Sequence, residues 1–223
     1  MFRARRALVD FDSSHVWRYH DTGFDPCPNW NRPDYDDSLW KSGAALFDRN
    51  ANELGRAVVA GQIVRTSLAL DVTGVTPPVR IPSYLFRVPI VVPTNATDFL
   101  ATVIPDDGFV LYVKGREVFR LGVPVAADLF ASFGGVHISP ETAVQQVFAI
   151  PTTNFIAGTK VLAVLLKQVD SSSPDVTFGL QLTQLSILDS SWWIHGRPGN
   201  RNRQWRWRDT AGRWTSSIRR IFL

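Results

Sequence analysis

A chain of 223 residues that is 45% hydrophobic and 12% aromatic can bury a substantial core, which excludes global disorder, yet it is short for two full domains. Its net charge of +4 is unevenly spread: residues 196–223 hold eight Arg against one acid, Asp209, for +7, so residues 1–195 carry −3. A mildly acidic body excludes a uniformly basic nucleic-acid binder, and the single cysteine, Cys27, excludes both an internal disulfide and a zinc site of ordinary composition.

Residues 1–16 are basic at the start and too broken by charge for an export signal, and they read as an N-terminal basic arm. Val16-Trp17-Arg18-Tyr19 predicts a short strand that opens the main domain, residues 17–189. The stretch from Asp25 to Ser38, rich in Pro, Asn and Asp, predicts loops, because Pro fixes φ and Asx side chains bond to nearby backbone. Strands follow over 62–70 and over 84–92. The second places Tyr84, Phe86, Val88, Ile90 and Val92 on one face, and its Pro89 implies an edge or a bulge, since proline donates nothing to a ladder.

Phe99 to Ile104, a tight loop at Asp106-Asp107-Gly108, Phe109 to Val113, a turn at Lys114-Gly115 and Arg116 to Arg120 predict a three-stranded meander. Further strands are expected over 144–150, 160–167 and 176–185. The middle one is apolar on both faces, as a covered central strand must be; the last alternates, with Val176, Phe178, Leu180 and Leu182 inward. Many short strands with Gly and Pro punctuation make the class all-β, a sandwich. From residue 190 the composition changes. Gln204-Trp205-Arg206-Trp207-Arg208 and Arg213-Trp214-Thr215 flank a turn, which predicts a C-terminal Arg/Trp-rich hairpin arm over 190–223.

The stretch Asp106-Asp107-Gly108-Phe109-Val110-Leu111-Tyr112-Val113-Lys114-Gly115-Arg116-Glu117-Val118 resembles the DDG-x-V-x-Y-x-N-G-x-E-V segment of galactose-binding-like jelly rolls. These are accessory domains of bacterial exported and carbohydrate-active proteins. Trp30 with Tyr35-Asp36-Asp37-Ser38-Leu39-Trp40 and Gly43, then Tyr84-Leu85-Phe86-Arg87, then residues 158–164 and 172–178, follow the same pattern in order over roughly 17–185. Two positions depart from it: Lys114 stands where the family has Asn, and Lys167 where it has His. The resemblance implies a jelly-roll β-sandwich with a tendency to bind glycans or partner domains, and assigns no ligand.

Enzymatic constellations are missing: there is no G-x-S-x-G, H-E-x-x-H, P-loop or dinucleotide fingerprint, and the four His are scattered. Asp106 and Asp107 suit a turn better than a glycosidase pair, because neighbours in an extended segment point to opposite sides. Asp34, Asp36 and Asp37 offer a place for a structural calcium ion, but without the alternating spacing of a dedicated calcium loop. Sugar sites stack a flat aromatic on a pyranose and put amide or charged groups beside it. Trp30, Asn31, Arg32 and Tyr35 are the candidates for that role, against a packing role for Trp30 and Trp40. In the arm, Trp205, Arg206, Trp207, Arg208, Arg213 and Trp214 suit docking on a protein partner better than stacking on nucleic acid or lying on a membrane.

The sequence therefore predicts a non-enzymatic structural or attachment component, with other protein subunits as partners and a host-surface glycan as a target. A bacteriophage virion protein of the capsid surface, tail or fibre base, made in host cytoplasm, is the leading form. An extracellular carbohydrate-binding accessory lectin is the alternative. No segment is apolar for long enough to span a membrane as a helix.

Overall fold

Two six-stranded sheets face each other across a single large core. The computed structural model describes residues 3–26, 28–49, 54–125, 130–134, 145–187, 206–208 and 214–216; Cys27 lies outside them. In chain order the strands of the body are β1 (Arg3–Val9), β2 (Val16–His20), β3 (Lys41–Ala44), β4 (Phe47–Asp48), β5 (Val58–Val59), β6 (Gln62–Ile63), β7 (Thr66–Ser67), β8 (Ser83–Val92), β9 (Ala96–Asp106), β10 (Gly108–Val113), β11 (Arg116–Leu121), β12 (Gln146–Ile150), β13 (Gly158–Lys167) and β14 (Thr177–Ile187). One sheet runs β12-β9-β14-β4-β7, with β1 also paired to β14; the other runs β11-β10-β13-β8-β2-β3. All their ladders are antiparallel except β4–β7, and β5–β6 form a separate two-stranded ribbon. From β8 to β14 the chain changes sheet at nearly every connection, which is how a jelly roll wraps one core.

The alternation read in the sequence is what fills that core. Tyr84, Phe86, Val88, Ile90 and Val92 of β8 face Val176, Phe178, Leu180 and Leu182 at the β14 side, and all are buried. Phe86 and Phe178 meet at 4.1 Å between ring centroids, with Phe47 stacked behind Phe178 at 6.2 Å. β13 is sandwiched between β10 and β8 and is buried on both faces, as its continuous apolar run requires.

Three expectations change on contact with the structure. Residues 1–16 are not set apart as an arm: β1 pairs with β14 from Arg3↔Ile187 to Val9↔Leu182, and Leu8, Val9 and Phe11 are buried in the core. The compact body spans Arg3–Ile187. Residues 62–70 do not make one strand but two short ones, β6 and β7, because the segment leaves the β5–β6 ribbon to pair with β4. The meander is only half a meander. β10 and β11 form the expected hairpin across Lys114 and Gly115, but Asp106-Asp107 carries the chain from one sheet to the other.

Gly108 is required at that crossing by close approach: a Cβ there would stand 2.8 Å from the carbonyl oxygen of Gly122. At the β10–β11 turn, Lys114 and Gly115 both have positive φ, 52° and 78°, which is the geometry a two-residue hairpin loop demands. Lys167, which stands in place of the family's histidine, is buried. Its ammonium donates to Ser83 Oγ at 2.9 Å and to the carbonyls of Phe130 and Ser132, so it ties residues 130–134 to the body.

The C-terminal segment is a separate compact unit. In it β15 (Arg206–Arg208) and β16 (Trp214–Ser216) form the predicted hairpin, with Arg206↔Ser216, Trp207↔Thr215 and Arg208↔Trp214 in register. Among the described residues no helix is long and apolar enough to cross a membrane.

Candidate functional site

The outer face of the second sheet is apolar enough to need a cover, and loop 26–40 supplies it. Leu85, Val110, Tyr112, Val123, Ala163 and Leu165 form a second buried cluster there together with Trp40, and Trp30 and Tyr35 pack against it. Trp30 meets Tyr112 edge-on at 5.6 Å and 83°. Tyr35 lies 5.6 Å from Trp40, and its hydroxyl donates to the Pro26 carbonyl at 2.9 Å.

One side chain fixes the loop. Arg87, in β8, is only 3% exposed, and each of its three guanidinium nitrogens donates to the loop. Nε donates to Asp37 Oδ2 at 2.6 Å, Nη1 to the carbonyls of Trp30 and of Arg32 (2.8 Å for the latter), and Nη2 to the carbonyl of Tyr35 at 3.3 Å. The same group stands over the Tyr35 ring at 5.3 Å. A buried cation with an anionic partner and three carbonyls is satisfied, and it holds those carbonyls at fixed positions.

The four sugar-site candidates are thereby brought together but not made equal. Trp30 is half-buried and committed to the cluster. Asn31 is half-buried, with its backbone alongside Gly115. Arg32 is exposed, and Tyr35 is half-buried. Two open clefts flank Tyr35. One, of about 410 Å³, lies towards β2 and β8; the other, of about 300 Å³, is lined by Pro28, Asn29, Arg32, Asp34, Tyr35 and Asp36. Both fall near the lower end of the size range of small-molecule sites.

The acids of this loop do not pool. Asp36 Oδ1 accepts from the Ser38 amide at 3.0 Å, and that bond holds its pKa below the ordinary value; Asp37 is taken by Arg87. Among the described residues no group of three or more His, Cys, Asp or Glu could hold a metal ion. Asp106 and Asp107 are buried at the sheet crossing, not exposed in a hairpin turn. Asp107 Oδ2 accepts from the Val169 amide at 2.8 Å. Burial first, then the nearby carboxylates of Asp175, Asp107 and Asp48, push Asp106 up to about 7.

Of the docking candidates, Arg206, Trp207, Arg208 and Trp214 lie in the hairpin strands, while Trp205 and Arg213 lie outside the described residues. Reading the sequence for exposed aromatics missed Arg87, Asp37 and Arg18. The available signal was an arginine inside the apolar run Tyr84-Leu85-Phe86-Arg87-Val88, on the side opposite the core-facing set.

Sheet order and loop together define a jelly-roll sandwich whose second sheet carries a loop packed on its apolar outer face. No family model matches the sequence, and no curated protein matches it. Parts of solved glycosidases are similar in structure. A β-glucuronidase of Bacteroides uniformis is 13% identical with a TM-score of 0.47, over 81% of this chain and 18% of that one. A glycosyl hydrolase family 2 member from Bacteroides cellulosilyticus DSM 14838 is 10% identical with a TM-score of 0.47, over 81% and 20%. A β-glucuronidase from an uncultured Clostridium is 10% identical with a TM-score of 0.40, over 82% and 29%. The chain thus spans a fifth or less of the length of the first two.

Proposed function

We propose that this chain is a non-catalytic attachment component of a larger assembly. In this reading the sandwich binds a glycan on loop 26–40, and the Arg/Trp hairpin docks on other protein subunits. The observation that carries it is the pairing of a loop held rigid by buried Arg87 with open clefts on both sides of Tyr35. A surface ordered before the ligand arrives loses little entropy on binding, and mixed aromatic, amide and charged walls suit a hydroxyl-rich ring. The carboxylates that could have served a hydrolase, Asp106 and Asp107, are buried and line neither cleft.

The assembly we favour is a bacteriophage virion, with the chain on the capsid surface, tail or fibre base, made in host cytoplasm and facing host-surface glycan. Support for docking comes from composition: Arg and Trp are the preferred anchors of buried protein contacts, and they alternate along β15. The test is light scattering at two salt concentrations on the full chain and on a variant with Arg206, Trp207 and Arg208 replaced by Ser. Self-association or partner binding lost only in the variant supports a docking hairpin. Equal behaviour of both as monomers contradicts it.

A second reading, an extracellular carbohydrate-binding accessory lectin, is favoured by one observation. The described residues that line the two clefts all fall between Val16 and Val161, within the body Arg3–Ile187.

A further inference from the structure

The larger cleft has a cause in the sequence. The β2–β8 ladder runs through His20↔Leu85, Tyr19↔Phe86 and Arg18↔Arg87, and then stops. Two residues further along β8 stands Pro89, which has no N–H to offer, while on its other side it keeps register with Val161 of β13. The sheet opens between β2 and β8 at this point, and the 410 Å³ groove occupies the gap. Pro89 was expected at an edge or a bulge; it lies in an interior strand at a local edge.

The groove is lined by Arg18, Ser42 and Asp37 beside the flat, mainly apolar surfaces of Pro33, Tyr35 and Pro89. Its two arginines are in different situations. Arg87 has an anionic partner and is consumed by the loop. Arg18 donates from Nη1 to Ser42 Oγ at 2.7 Å and to the Trp40 carbonyl at 3.3 Å, both neutral. Its Nε and Nη2 have no partner among the described residues, and no ion pair there neutralises it. The one lining carboxylate, Asp37, is already bound to Arg87.

A guanidinium held by neutral acceptors, with free donors beside proline and tyrosine surfaces, suits a ligand that is flat, apolar on one side and anionic at its rim. We propose that this groove is the subsite for an anionic sugar. The acidic group of a pyranose bearing a carboxylate or a sulfate ester meets Arg18, and the C–H face of its ring lies on Pro33 and Pro89. The inference rests on the reading that the body binds glycan, and it adds the ligand class and the residue that selects it.

The test is calorimetric titration of the full chain with three oligosaccharides of one backbone: one bearing uronic acids, one with neutral sugars only, and one with the same neutral sugars carrying sulfate esters. The expected result is that one or both acidic forms bind at least about tenfold more tightly than the neutral form, the scale of one charge-assisted hydrogen bond. That preference falls with added salt in the unmodified chain and disappears in Arg18→Gln. The salt series keeps the test independent of whether the variant folds. Preference for the carboxylate over the sulfate, or the reverse, names the acid. Equal binding of acidic and neutral forms, or an acid preference unaffected by salt and by Arg18→Gln, overturns the anionic subsite and leaves the glycan reading standing. Binding of none of the three overturns both.

Discussion

Arg87 and Asp37, fifty residues apart in the chain, meet at 2.6 Å, and with that contact the loop that carries every sugar-site candidate is fastened to the sheet. The ion pair is nearly dry on the arginine side, and the same guanidinium binds three loop carbonyls, of which that of Arg32 also accepts from the Tyr35 amide at 3.3 Å. Arg87→Met leaves Asp37 and those carbonyls without the guanidinium. The expected loss is about 3 kcal/mol, since removing one partner strands the other, or roughly 6–12 °C in Tm for a chain of this size. Arg87→Lys recovers only part of it, because one ammonium cannot serve four acceptors in a plane. Calorimetric melting of both variants checks the order, and limited proteolysis should cut first between Pro28 and Ser38.

Gly108 sits where the chain changes sheet, with the Gly122 backbone and a Val123 methyl group both directly in front of it. Gly108→Ala puts a methyl group 2.8 Å from the Gly122 carbonyl oxygen. Overpacking of this kind costs about 1–3 kcal/mol, and denaturant unfolding measures it. A loss below 0.5 kcal/mol would show that residues 122–123 move aside.

Asp106 gives the body a pH dependence of unusual sign. Its folded pKa, raised to about 7, exceeds the value of about 3.8 in an unfolded chain, so the folded state holds a proton that the unfolded state has released. Below pH 4 the group contributes nothing; between about 4 and about 7 its contribution to stability falls as pH rises; above 7 the full penalty remains. Asp175, raised for the same leading reason of burial, acts in the same direction. Asp106→Asn should therefore melt higher than the parent at pH 8, with the difference shrinking to nothing by pH 4. A difference that grows towards acid pH would reverse the assignment. Comparing the two proteins at each pH removes the opposing effect of His20, whose pKa burial lowers.

Lys114 occupies a left-handed position that asparagine tolerates better. Lys114→Asn should stabilise the chain by about 0.5–1 kcal/mol through the β10–β11 turn alone, measured as a shift in denaturant midpoint at constant slope.

These sites also mark what the sequence could disclose. Period-two alternation exposed the inward faces of β8 and β14, because every second residue of a half-buried strand must be apolar. The Lys114-Gly115 turn was legible because positive φ restricts residue choice. The sheet change at Asp106-Asp107 was not, since a glycine after two acids looks alike in a hairpin and in a crossing; only long-range pairing with β12, β13 and β14 separates them. Loop 26–40 was recognised by composition; Trp30 and Tyr35 were read as sugar-site candidates, with packing weighed only for Trp30 and Trp40, and all three aromatics pack on the outer cluster. The loop's anchor lay fifty residues away, and no local pattern pairs Asp37 with Arg87. The groove beside it depends on Pro89 ending a ladder with β2, a partner visible only once the strand order is known.

The most direct measurement is an amide chemical-shift map of the full chain titrated with a glycan selected from an array. Shifts confined to residues 28–42, 16–18 and 87–89 and to Val161 are the predicted result, because these positions line the two clefts around Tyr35. Shifts at the hairpin or on the opposite sheet, or an array without a single binder, would contradict a glycan surface on loop 26–40.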